Sequence, residues 1–414
     1  MPAKIAYFLL FIASISAISC GPKKPVDTMS DEQLKAYAKG LADKFIIVDG
    51  HIDLHERLRE KKYRAGIDSP DTIINTGKGE FDFTRAKQGG LDAPFMSIYI
   101  PIEYQSHFDN GKELADSLIN TVVEITKALP DKFALANAPA DVEANTKAGK
   151  ISFPMGMENG APIGNDLANL KYFYDRGIRY ITLAHNKDNQ ICDASRDNTH
   201  TNKGLSEFGK QVVPEMNRLG IMVDISHVDD ETFYQVMELS KAPAIASHSS
   251  CRKFSPAAAR DMTDDMIKKL GEKDGVMLIN FFTAFLDSTA MRYTTELSAL
   301  LEKDSLGFAD SLARPIIAEF RRTHPNPTNL ETVANHIDNV VKIAGIDHVG
   351  FGSDYDGVSG SLPVGLEDVS KYPDLIYTLL KRGYTEDDIE KICYKNAFRV
   401  WNKVIEVSKQ LQGQ

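Results

Sequence analysis

Two residues in the stretch FIIVDGHIDLH, 45–55, could act together at one point. His51 and Asp53 stand one residue apart at the end of an apolar run. Side chains at i and i+2 of a strand share a face, so this imidazole and carboxylate can bind one metal ion from the same side. Comparable apolar runs end in Glu158, His185, His227, His248 and Asp354. Imidazoles mixed with carboxylates suit a borderline cation such as zinc. Five donors, His51, Asp53, Glu158, His227 and His248, are too many for one catalytic zinc with an open position. They fit two ions sharing a carboxylate, with Glu158 as the candidate bridge. Any one strand-end histidine is ordinarily a loop or core residue, so the expectation rests on their convergence.

Convergence requires strands that all point one way. Eight strand-like runs are visible, at 45–50, 95–100, 151–158, 178–185, 221–227, 242–248, 275–281 and 348–354. Helical patterns occupy 204–219, 229–239, 331–345, 366–382 and 386–407, and the last follows Thr385 with Asp388 three residues on, a variant capping box. Near-continuous apolar strands indicate a sheet covered on both faces, and interleaved helices indicate parallel pairing. The pattern predicts a (β/α)8 TIM-like barrel over 45–410. Insertions are expected in the long connections between the second and third strands and between the seventh and eighth. An open doubly wound sheet is disfavoured, because no Gly-rich phosphate loop follows the first strand. In a barrel the C-terminal strand ends share one mouth, so residues 300 positions apart can meet there.

The bulk composition limits the function class. With 414 residues, 43% hydrophobic and 26% charged, the chain can bury a large core. A formal net charge of -10 leaves no basic footprint for nucleic acid. Residues 1–20 carry Lys4, an uncharged apolar run from Ile5 to Ile18, and small residues before Cys20. This is too short for a comfortable membrane span and reads as a signal peptide. Ala17-Ile18-Ser19-Cys20 resembles the lipobox of bacterial lipoproteins, which implies acylation of Cys20 and a lipid anchor in the cell envelope. The alternative is an ordinary cleaved signal with a chance cysteine. Residues 21–44 then form a tether and an N-terminal helical segment. Cys192, Cys251 and Cys393 cannot all pair with one another, so no disulfide framework is expected.

Longer motifs narrow the reading. VDGHIDL (48–54), GMENG (156–160), RYITLAHN (179–186), DISH (224–227), SHSS (247–250) and GFGSDYDGV with GLEDVSKYPDLI (350–376) together resemble the renal, or membrane, dipeptidase family of dinuclear zinc peptidases. The wider amidohydrolase group usually opens with His-x-His, and His-x-Asp here favours the dipeptidase branch. The resemblance implies two zinc ions and a dipeptide substrate with a free C-terminal carboxylate, cleaved by a hydroxide shared between the ions. It implies that His51 and Asp53 hold one zinc, His227 and His248 the other, and that Glu158 bridges them. It further implies that His185 contacts the scissile carbonyl oxygen, Arg260 clamps the substrate carboxylate and Asp354 is the acid–base residue. Arg252 is the alternative clamp, and Asp356, two beyond Asp354, the alternative acid–base group. Family members are commonly dimers, which makes a homodimer the expected assembly. One departure is NFFTAF (280–285), where the family often places a substrate-contacting tyrosine. Two rival readings keep parts of this picture: a dinuclear hydrolase for another amide, lactam or ester, and a non-catalytic lipid-anchored binding protein. His55 reads as solvated or supporting, Cys192 and Cys251 as non-ligands, and Asp224 as a helix-facing or loop-bonding carboxylate on the face opposite His227.

Overall fold

Among the described residues, apolar runs form ten strands: β1 (Ile47–Ile52), β2 (Leu91–Tyr99), β3 (Phe133–Leu135), β4 (Ile151–Phe153), β5 (Met155–Glu158), β6 (Ile178–Thr182), β7 (Met222–Asp224), β8 (Ile245–Ser249), β9 (Val276–Ile279) and β10 (Val349–Phe351). The computed structural model describes residues 28–60, 68–105, 108–308 and 310–414. The signal-peptide and Cys20 readings lie outside the described residues.

Eight strands close a barrel in the order β1-β10-β9-β8-β7-β6-β5-β2, and every neighbouring pair is parallel. This is the (β/α)8 architecture expected from the sequence. Both insertions are present. β3 and β4 pair as a separate two-stranded sheet between β2 and β5, beside the helices Phe108–Ala128 and Pro139–Lys147. Helices Ser288–Glu302 and Ala313–Thr323 fill much of the connection from β9 to β10. The run 151–158 is two strands, not one. Pro154 separates them, since it cannot donate to a ladder.

Local signals set the helix ends. The Ser30 side chain caps Asp31–Lys44 with a reciprocal bond from Gln33. Thr385 and Asp388 form the expected capping box on Glu386–Glu390. The pattern at 386–407 is interrupted by a π turn, Lys391–Lys395, before the helix Asn396–Leu411. That last helix helps close one end of the barrel. Its Trp401 ring lies 5.2 Å from Phe95, which in turn lies 5.3 Å from Tyr180.

Tyr180 fits because Gly156 on the adjacent strand has no side chain. A Cβ at 156 would overlap the Tyr180 ring. Gly156→Ala should therefore cost about 1–3 kcal/mol of stability by overpacking. Urea denaturation would show this as a lower midpoint with an unchanged slope. A midpoint equal to that of the parent would mean the ring relocates without penalty.

Candidate metal centre

The barrel delivers its polar side chains to one end. Glu158 is the last residue of β5, His51 lies near the end of β1, and His248 lies on β8. His227 and Asp354 lie three residues past β7 and β10, at φ 68° and 66°. Non-glycine residues in this left-handed region carry a backbone cost and persist where the surroundings enforce it.

Glu158 is the hub. Its Oε2 lies 3.3 Å from His51 Nε2. Its Oε1 lies 3.1 Å from His227 Nε2, 3.4 Å from His248 Nε2 and 3.6 Å from His185 Nε2. The two carboxylate oxygens thus serve two sides of the cluster. Asp53 Oδ2 stands 3.5 Å from His51 Nε2. Three donor groups lie within metal-binding reach: His51 with Glu158 and His248, Glu158 with His185 and His227, and His51 with Asp53 and Asp354.

Supporting bonds aim these donors. Tyr180 Oη donates to the Gly50 carbonyl at 3.1 Å and lies 2.8 Å from His51 Nδ1. With its proton committed, the phenol oxygen accepts from Nδ1–H, which leaves a lone pair on Nε2. The same logic holds at His248. Ser247 Oγ donates to Asp224 at 2.6 Å and accepts from His248 Nδ1 at 2.7 Å. His248 Nε2 then faces His227 Nε2 at 3.0 Å. His51 Nε2 and Asp53 Oδ1 are buried without a hydrogen-bond partner. Buried polar atoms are normally paired, so lone pairs aimed at one point fit a cation. Metal-binding histidines ordinarily have their second nitrogen held in this way.

The electrostatics favour positive charge at the same place. Burial opposes a charge on His51, but Tyr180, Asp53 and Glu158 outweigh it and draw its pKa well above the usual imidazole value. Burial would also raise Glu158, yet His51 and the other imidazoles hold it well below the carboxylate range. Burial pushes His185 down to about 4. Burial, with the like charge of Asp53 nearby, pushes Asp354 up to about 7.

Tyr180→Phe should weaken metal binding about 10–100-fold, the usual effect of removing a partner behind a histidine ligand. Competition with a chromophoric chelator would measure it. Equal affinity would remove Tyr180 from that role.

A model of the family described as membrane dipeptidase (peptidase family M19) matches residues 35–414. The chain belongs to the membrane dipeptidase family. As a member it is an enzyme, a hydrolase of the metallopeptidase type. A Schizosaccharomyces pombe protein described as an uncharacterized dipeptidase is 32% identical over 371 residues, covering 86% of this chain and 80% of that protein. The probable dipeptidase PvdM from Pseudomonas aeruginosa superposes with a TM-score of 0.76 at 25% identity, covering 91% of this chain and 99% of that one. A Rhodobacter sphaeroides metallo peptidase, solved with a phosphinate mimic of the dipeptide L-Ala-D-Ala, gives a TM-score of 0.71 at 25% identity. That match covers 87% of this chain and 99% of the Rhodobacter chain.

Within this family member the alternative residues are committed elsewhere. Arg252 pairs with Asp230 through both terminal nitrogens, at 2.8 and 2.5 Å. Asp356 is held by Arg57 Nε at 3.1 Å and by the Glu80 amide at 2.7 Å. Arg260 is buried, with one terminal nitrogen on Ser249 Oγ, the other on the His248 carbonyl and Nε unpartnered. Asp354 Oδ2 accepts from Asn280 Nδ2 at 2.9 Å.

Two expectations need correction. Asp224 does not face a helix. It accepts from Thr182 and Ser247 hydroxyls and from the Ser226 and Ser247 amides, and so braces His248 from within. The strand ends at Asp224, so alternation does not carry through to His227. His55 is buried rather than solvated, in the helix Leu54–Glu60, and burial lowers it to about 3. Cys192, Cys251 and Cys393 are buried free thiols, in line with the expectation that they form no disulfide framework.

A fourth acidic group, Asp193, His200 and Asp229, lies apart from the centre. Its carboxylates are spent on loop and helix amides: Asp193 accepts from Asn202 and Gly204, and Asp229 from Thr232. It shapes the loop after β6.

Proposed function

We propose that this chain is a zinc dipeptidase that hydrolyses dipeptides with a free C-terminal carboxylate. The observation that carries the reading is the division of Glu158, with one oxygen toward His51 and the other toward His227 and His248. His51, Asp53 and Glu158 would hold one zinc ion; Glu158, His227 and His248 would hold the second. Bound zinc supplies a water activated at neutral pH and polarises the scissile carbonyl.

The remaining work falls to the chain. Asn280 fixes Oδ2 of Asp354. That leaves Oδ1 to take a proton from the attacking water and return it to the leaving amine. His185, edge-on to Tyr99 with ring centroids 4.9 Å apart, meets the charge developing on the carbonyl oxygen. Arg260 would bind the substrate carboxylate, favouring short peptides with a free terminus. Phe282 and Phe285 line the cavity of about 460 Å³ in front of the cluster, where the NFFTAF segment lacks the family's tyrosine.

Metal analysis combined with a dipeptide panel tests the reading. Turnover of L-Ala-L-Ala should vanish with chelator and return with zinc. Activity confined to blocked amides, lactams or esters would overturn the dipeptide assignment. Metal-independent inertness would favour a binding protein.

We further propose a cell-envelope location through acylated Cys20, with the chain acting as a homodimer. Cys20→Ser should move the protein from the membrane fraction to the soluble fraction, and persistence in the membrane fraction would remove the anchor. Light scattering of the soluble variant would report the dimer, and a monomer mass would exclude it.

A further inference from the structure

Arg196 lines the same cavity as Asp53, Glu158, His185 and Asp354. It lies in the loop after β6, in CDASRDN. None of its N–H donors has a hydrogen-bond or ion-pair partner among the described residues. Its guanidinium carbon lies 5.3 Å from the Phe285 ring centroid, and that of Arg260 lies 5.7 Å from the same centroid. One aromatic ring therefore lies within cation–π reach of both guanidiniums, and Arg196 is the one of the two that lines the cavity. Such stacking positions an arginine while leaving its planar fork free for a carboxylate.

The two arginines differ in commitment. Arg260 is buried, and its terminal nitrogens are bonded to Ser249 and His248. Arg196 is open to the cavity, though enough protein surrounds it for burial to draw its pKa below the usual value, against the pull of Asp261 and Asp354. A dipeptide with a neutral second residue presents one carboxylate to this pair. A second carboxylate would satisfy the guanidinium that remains.

We infer that Arg196 sets specificity, and that the enzyme prefers dipeptides whose C-terminal residue carries an acidic side chain. The side-chain carboxylate meets Arg196 while the terminal carboxylate meets Arg260. This rests on the dipeptidase reading above and adds the substrate class.

Steady-state kinetics of the zinc-loaded enzyme on L-Ala-L-Glu, L-Ala-L-Gln and L-Ala-L-Ala tests it. Glu and Gln differ in charge and hardly in shape. The expected kcat/KM ratio of Ala-Glu to Ala-Gln is roughly 10–100, the range of one charge-assisted bond, expressed mainly in KM. Arg196→Met should bring that ratio to about 1, and Arg196→Glu should shift preference toward L-Ala-L-Lys. A ratio near 1 in the parent enzyme overturns the inference while leaving the dipeptidase reading intact. So does an equal loss on all three substrates in Arg196→Met, which would make Arg196 a partner of the terminal carboxylate. No turnover of any dipeptide overturns both.

Discussion

Asp354→Asn is expected to retain the metal content of the parent and to lose about 10²–10⁴ in kcat, the usual contribution of a positioned acid–base group. The amide keeps the shape and can still meet Asn280, but it cannot carry a proton at Oδ1. The loss should appear equally in kcat and kcat/KM, because the missing interaction is made in the transition state. The neighbouring Asp356 cannot take over, since Arg57 and Glu80 hold it. Steady-state kinetics together with elemental analysis would check this. Parent-like turnover would remove Asp354 from the mechanism, and a metal-depleted variant would make it a ligand instead.

Glu158→Gln should have the larger consequence for the centre itself. Glu158 is buried among four imidazoles within 3.6 Å, with Ser97 Oγ donating to Oε2 at 3.3 Å. A neutral amide there removes the charge shared by both metal positions and offers only one acceptor oxygen. Metal content should drop from about two ions per chain to below about one, with activity at background. Elemental analysis after dialysis is the readout. Two retained ions would show that the carboxylate does not bridge.

The fold was largely legible because each barrel strand is an apolar run, six of them ended by a histidine or a carboxylate. The 151–158 run misled only in joining two strands that Pro154 divides. The candidate site was legible where donors sit on or just beyond a strand end, as His51, Glu158 and His248 do. Other parts depend on contacts across the barrel that no local spacing encodes. Tyr180 of β6 reaches His51 of β1, and Asp224 of β7 reaches His248 through Ser247. Alternation failed at Asp224 because β7 stops there and His227 follows with φ 68°. Asn280 lies just past β9 and holds Asp354 just past β10, a contact between neighbouring strand ends that no spacing along the chain encodes. Arg196 sits in a loop, and no periodicity in the sequence aims a loop arginine at a distant cavity.

Anomalous diffraction at the zinc edge, from crystals of the purified chain, addresses the bridging carboxylate most directly. Two peaks should flank Glu158, one beside His51 and Asp53 and one beside His227 and His248. A lone peak, or density at Asp193, His200 and Asp229 instead, would contradict the account.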